Sequence, residues 1–220
     1  MYKKGLLYLL FISAFLACNS TENTKLTPIQ KLEEGNKRFT TGKSMHPDET
    51  LERIRELKKG QHPFAIVVSC SDSRVPSELI FDQGLGDIFS IRTAGNVIGD
   101  YELGSIEYAV EHLDCKLIVV MGHKGCGAVK AFIDSKGHYG YPDHIKSIVE
   151  YIQNEDEEKQ LMNSNGLTYD KSVDANIVHG VTFLKTAEPI LKGCFDLNKV
   201  SIIGALYDIE TGKVIFKNLK

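Results

Sequence analysis

Hydrophobic residues in this chain fall into two alternating regimes. Residues 64–69 (FAIVVS), 117–121 (LIVVM) and 200–206 (VSIIGAL) are apolar and rich in β-branched residues at nearly every position. Such runs predict strands buried on both faces, as in a parallel sheet. Residues 87–93 predict a further strand, and residues 213–216, just past the turn at 208–212, an antiparallel edge strand. Between these runs the apolar positions recur at three and four, the spacing of a helix. Helices are predicted over 28–39 (Ile29, Leu32, Phe39), 48–59 (Leu51, Ile54, Leu57), 101–113 (Leu103, Ile106, Val110, Leu113), 128–134, 145–162 and 173–191, the last carrying Pro189 near its end. Thr27-Pro28 is a start signal, a capping hydroxyl followed by proline at the first helical position. Strands alternating with helices argue an α/β fold with a mostly parallel sheet. Residues 135–176 carry the weakest pattern. The charge run Glu155-Asp156-Glu157-Glu158-Lys159 within them reads as a solvated helix face without a function.

The first residues follow another logic. Lys3 and Lys4 precede the apolar stretch 5–17, too short for a good spanning helix. It ends in Phe15-Leu16-Ala17-Cys18 and gives way to the polar NSTENT. This resembles a bacterial lipoprotein signal, with 1–17 removed, Cys18 lipidated and 18–27 a tether; the alternative is an ordinary secretory signal with Cys18 incidental. On either reading the protein is exported to the envelope, on the periplasmic side, and any membrane attachment is through the N-terminal lipid. The rest, 28–220, is one domain.

Charge changes the picture little. The net charge is −3, and removing 1–17 takes two lysines and leaves 24 basic against 29 acidic residues, or −5. There is no basic stripe and no nucleic-acid motif, so nucleic acid is not an expected partner. Gly84-Leu85-Gly86 is a turn rather than a dinucleotide fingerprint, because the third glycine and the strand–helix context are missing. Of the five cysteines, Cys115 and Cys194 are either small core fillers or, in an oxidising compartment, a disulfide.

Candidate chemistry sits at the ends of two buried strands. Cys70-Ser71-Asp72-Ser73-Arg74 follows the first, and His123-Lys124-Gly125-Cys126 follows the run at 117–121. Ligand groups in open α/β sheets collect beyond the carboxyl ends of strands. Two thiols, an imidazole and a carboxylate can converge there, a donor set suited to Zn²⁺. Cys70, Asp72 and Arg74 alternate, so in an extended segment they leave from one side. Gly122, Gly125 and Gly127 let the chain turn to bring His123 and Cys126 inward. Asp72 has two options: it closes the site as fourth ligand, or it pairs with Arg74 and leaves that position to water, whose pKa zinc lowers towards neutrality. A closed structural zinc remains the plainer alternative.

CSDSRVPSELIFDQGLGDIFSIRTAGN together with EYAVEHLDCKLIVVMGHKGCGAVKA resembles the β-class carbonic anhydrases, from about Pro28 to the C-terminus. The resemblance implies four parallel strands with an antiparallel fifth, flanked by helices, and an N-terminal helical arm packed on a partner subunit. It implies one zinc per subunit on Cys70, His123, Cys126 and either Asp72 or water, with an Asp72–Arg74 dyad in catalysis. It further implies reversible conversion of CO₂ to bicarbonate, and a homodimer or higher homo-oligomer. Gln61, Phe89 and Tyr108 stand at offsets matching substrate-binding positions of the plant-type subtype. His112, four residues after Tyr108, is a candidate proton shuttle. Hydrolysis of CS₂ or COS on the same scaffold, a non-catalytic zinc-binding lipoprotein and a Cys–His nucleophilic hydrolase are the rival readings.

Overall fold

The computed structural model describes residues 25–135, 140 and 143–219. The signal segment, Cys18 and most of the tether lie outside the described residues. Five strands form one sheet: β1 (Ala65–Cys70), β2 (Ile88–Thr93), β3 (Leu117–His123), β4 (Ser201–Tyr207) and β5 (Val214–Lys217). Their spatial order is β2-β1-β3-β4-β5, all neighbours parallel except the antiparallel β4–β5 pair. The predicted fold class is the observed one.

Period-two alternation assigns the strand side chains to two faces. Ile66 and Val68 of β1 and Ile118 and Val120 of β3 point into one apolar cluster, with Ile106, Val181 and Leu184. Ala65, Val67, Val119 and Met121 point into the other, with Leu32, Ile80 and Phe81. β1 and β3 are buried at every residue, as continuous apolar runs require. Each fully buried aliphatic side chain contributes about 1.5–3 kcal/mol. A third, smaller cluster lies over the carboxyl ends of these strands and holds Cys70 and Cys126 beside Val129, Phe132, Ile152 and Ile177.

The helices are α1 (Pro28–Thr40), α2 (Leu51–Leu57), α3 (Ser77–Ile80), α4 (Asp100–His112), α5 (Gly127–Ser135), α6 (Ile145–Asn154), α7 (Asp156–Asn163), α8 (Tyr169–Thr186) and α9 (Leu191–Asp196). At the start of α1, Thr27 and Gln30 cap reciprocally, with Pro28 at the first position. This arm packs on its own chain through the buried Leu32, and Asn36 donates to the carbonyls of Ile80 and Gly212 and accepts from the Val214 N–H. That inner face is therefore already covered without a partner subunit. Among the described residues no helix is long and apolar enough to cross a membrane.

Three expectations fail. The helix predicted over 145–162 is two, broken at Glu155, whose backbone is extended (φ −60°, ψ 134°). The helix predicted over 173–191 begins earlier, at Tyr169 with Thr168 as its cap, and stops at Thr186; Pro189 lies in the turn before α9. A proline ring cannot continue a helix. The charge run is not a solvated face: Glu155 and Glu158 are 1% and 0% exposed. Cys115 and Cys194 are free thiols, and burial pushes that of Cys115 up to about 11.

Candidate metal centre

β1 and β3 are adjacent and parallel, with Ser69 level with Met121. Their last residues, Cys70 and His123, therefore leave the sheet at the same end, where Cys126 folds back over them. Gly125 supplies that turn with a left-handed backbone, φ 75°. Of the other two glycines, Gly127 opens α5, and Gly122 serves packing instead: a Cβ there would lie 2.7 Å from Ile177. One ligand atom each from Cys70, His123 and Cys126 lies within 4.8 Å of the others. All three residues are buried.

The ring of His123 is oriented for a metal. Its Nδ1 lies 2.9 Å from the Lys124 carbonyl oxygen, and a carbonyl only accepts, so Nδ1 carries the proton. Nε2 is left with a bare lone pair, buried and without a hydrogen-bond partner. A buried acceptor without a hydrogen-bond partner, facing two thiols, fits a cation. The thiols give the same sign. Cys70 is held well below the usual thiol range, chiefly by the hydrogen bond from Cys126, with the backbone N–H groups of Asp72 and Gly95 adding to it against burial. Cys126 is pushed up by Cys70 and by burial. Two adjacent thiols share one negative charge as they stand; a dication is what lets both ionise.

Asp72 lies outside this trio. Arg74 binds it in a fork, Nε to Oδ1 at 2.9 Å and Nη2 to Oδ2 at 2.7 Å, and the Arg74 backbone N–H donates to Oδ1 as well. These donors hold the Asp72 carboxyl well below the usual carboxylate range. Arg74 Nη2 also donates to the Gly125 carbonyl at 3.2 Å, tying the two metal loops together. Of the two options for Asp72, the structure has the Arg74 pair.

Other residues support the two loops. Arg92 on β2 donates to the carbonyls of Cys70 and Asp72, at 3.2 and 2.7 Å. Tyr169 donates to the Cys126 carbonyl at 3.2 Å. The Gly95 N–H donates to the Cys70 sulfur at 3.3 Å. In the sequence Arg92 stands in the predicted strand 87–93 as a candidate for the pocket mouth with nothing to decide it, and Tyr169 sits in the segment of weakest pattern.

Gln61, Phe89, Tyr108 and His112 are not brought to the trio. Phe89 pairs with Ile66, four residues before Cys70 on the neighbouring strand, which is about 13 Å along the sheet. It packs on the cluster beneath α4. Tyr108 is 49% exposed, with the His112 ring 5.1 Å away along α4. Gln61 is exposed in the loop before β1.

The comparisons agree with this geometry. The family described as carbonic anhydrase matches residues 65–214. Carbonic anhydrase 2 of Mycobacterium tuberculosis is 36% identical over 189 residues, covering 85% of this chain and 90% of that enzyme. Among solved structures, the Coccomyxa β-carbonic anhydrase in complex with acetazolamide superposes with a TM-score of 0.68 at 26% identity, covering 90% of this chain and 87% of that one. The β-carbonic anhydrase CafA of Aspergillus fumigatus does so with a TM-score of 0.65 at 30% identity, covering 83% and 87%. With the matched region spanning both metal loops and strands β1 to β4, this chain belongs to the β-class carbonic anhydrases.

Proposed function

We infer that the chain is a zinc enzyme for the reversible hydration of CO₂ to bicarbonate and a proton. The observation that carries this is the buried trio of Cys70, His123 and Cys126 with an ionised Asp72 beside it, bound to Arg74 rather than joined to the trio. Cys70, His123 and Cys126 would hold Zn²⁺, and the ion would supply the Lewis acidity that makes water a nucleophile near neutral pH. The chain's own residues supply position and charge. Arg74 fixes Asp72 in its ionised form, an acceptor able to orient a hydroxyl next to the trio. Arg92 and Tyr169 hold the carbonyls of Cys70, Asp72 and Cys126, so neither loop shifts as charge develops.

Substrate binding by Gln61, Phe89 and Tyr108 requires a second copy of the chain, because one chain keeps them away from its own trio. The half-exposed Tyr108 and the 88% exposed Tyr101, both on α4, support a homodimer or higher homo-oligomer. The lysines, apolar run and Cys18 of the first residues support export and lipid attachment at the periplasmic face. Labelling with radioactive palmitate, lost in Cys18→Ser, tests that.

Stopped-flow CO₂ hydration by purified, zinc-loaded protein between roughly pH 6.5 and 9 tests the activity. The expected result is turnover that rises with pH. Silence at every pH with stoichiometric zinc bound would leave a non-catalytic zinc protein instead.

A further inference from the structure

The break between α6 and α7 turns a glutamate into the core. Glu155 Oε1 accepts from Asn176 Nδ2 at 2.9 Å, and Asn176 Oδ1 accepts from Asn96 Nδ2. The three residues are 1%, 3% and 4% exposed. Asn96 follows Gly95, the residue whose N–H meets the Cys70 sulfur. Both are left-handed, Gly95 at φ 70° and Asn96 at φ 47°. Glycine takes this conformation freely; for Asn96 it is a sparsely populated backbone that persists where its surroundings fix it. Around this loop Thr93 donates to the Val97 carbonyl and Tyr151 to the Ile98 carbonyl. Asn96 is anchored from α8 and, through α8, from Glu155.

We propose that Glu155, acting through Asn176 and Asn96, is a positioning residue for the Cys70 sulfur, taken as a zinc ligand as above: it accepts from the buried Asn176 NH₂, keeps Asn176 Oδ1 turned to Asn96, and so holds the loop that points the Gly95 N–H at that sulfur. The direction follows from donor chemistry. An asparagine amide has one donor end and one acceptor end. Asn96 presents its donor end, so Asn176 must present its oxygen, and the Asn176 NH₂ must find an acceptor. Glu155 is that acceptor. A residue unable to accept would leave the NH₂ buried and unpaired, and rotation of Asn176 to recover it would set two NH₂ groups against each other. Burial first, then the charge of Glu158, pushes the Glu155 carboxyl up to about 9 against the hydrogen bond from Asn176. It is then a neutral acid at neutral pH, and its carbonyl oxygen accepts as an amide's would. Glutamine can therefore replace it and leucine cannot. A hydrogen bond to a ligand sulfur is the kind of outer contact that tunes a metal site.

The test is zinc affinity of the purified protein by competition with a chelator of known strength, read beside the thiolate-to-cobalt absorption band of the Co²⁺-substituted protein. Loss of an outer contact weakens metal binding by about 10–100-fold, and two hydrogen bonds of separation reduce the expectation for Glu155→Leu to about 3–10-fold. Its cobalt band should shift, and Glu155→Gln should restore both readings to near those of the unaltered protein. If Glu155→Leu does not fold, Asn176→Ser cuts the same chain at its middle and must show the same loss. A leucine variant with unchanged affinity and cobalt band would overturn the proposal, as would a glutamine variant equally impaired. An unaltered protein that binds no zinc would instead overturn the metal reading and this proposal with it.

Discussion

Two regions of this molecule bury ionisable side chains, and they do so to opposite ends. At the carboxyl ends of β1 and β3 the buried groups are built to be charged: Cys70 is held low, Asp72 is gripped by Arg74, and His123 presents a bare nitrogen. At the junction of α7 and α8 they are built to be neutral. Glu155 and Glu158 each leave one carboxylate oxygen unpartnered, and among the described residues neither pairs with a cation. Burial without a counter-charge drives a carboxyl to keep its proton. The first region handles charge for chemistry; the second uses neutral acids as hydrogen-bonding wedges between helices. Substitutions should therefore separate them, metal and turnover answering to one, stability against pH to the other.

The largest effect belongs to the trio. His123→Ala removes one of three donors, and zinc content should fall below stoichiometry with CO₂ hydration reduced by more than about 100-fold. Metal analysis and stopped-flow rates read both. Zinc and turnover retained together would place the metal elsewhere and dissolve the contrast.

Arg74→Ala comes next. It frees Asp72 from its fork, and kcat/KM should drop by about 100-fold, the scale of a mispositioned acid–base group. Arg74→Lys should recover little, since a lysine cannot make the bidentate pair. The Arg74 side chain is 53% exposed, so melting temperature should hardly move. A variant with near-normal turnover would remove the dyad from the mechanism.

The two regions also differ in how far the sequence announced them. The metal trio was legible because its chemistry is carried by residue type and spacing directly after two apolar runs. β1 and β3 were legible for the same reason. Glu155 was not, because five charged residues in a row look solvated whatever they do, and only the packing of α7 on α8 reveals which of them turn inward. Asn96 and Asn176 are eighty residues apart in the chain and meet only in the fold. Phe89 and Tyr108 are matched to pocket positions by their offsets alone, while the sheet register holds Phe89 well down the strand from its own chain's trio, so a second copy would have to bring such residues there.

Acidity probes the second region. The Glu155 carboxyl titrates near 9 in the folded protein against an ordinary 4.5, and Glu158 near 7, both raised first by burial. Between those limits the folded state keeps protons that the unfolded chain releases, so the contribution of these two carboxyls to stability is full below about pH 4.5 and declines as pH rises towards 9. Glu155→Gln has no proton to lose. At about pH 8 it should be more stable than the unaltered protein by up to about 4–5 kcal/mol, roughly 10–20 °C in melting temperature, and at about pH 4.5 the difference should vanish. Melting curves across pH decide it; parallel profiles would mean that Glu155 is ionised in the fold and that the contrast between charged and neutral burial is wrong.

The smallest effect is expected in α2, which belongs to neither region. Leu51, Ile54 and Leu57 have the spacing of a core-facing stripe, yet Leu51 is 71% and Ile54 52% exposed, and the helix buries no residue. It is tied down by polar contacts instead, Arg53 donating to the Leu85 carbonyl and pairing with Asp87. Within one chain Leu51→Ser and Ile54→Ser should each change stability by less than about 0.5 kcal/mol, as exposed substitutions do. Urea midpoints measured at high and low protein concentration test this. A loss above about 1 kcal/mol at high concentration that disappears on dilution would show the stripe covered by a second copy, since only association makes stability depend on concentration. The spacing would then describe an interface, a burial that a single chain does not display.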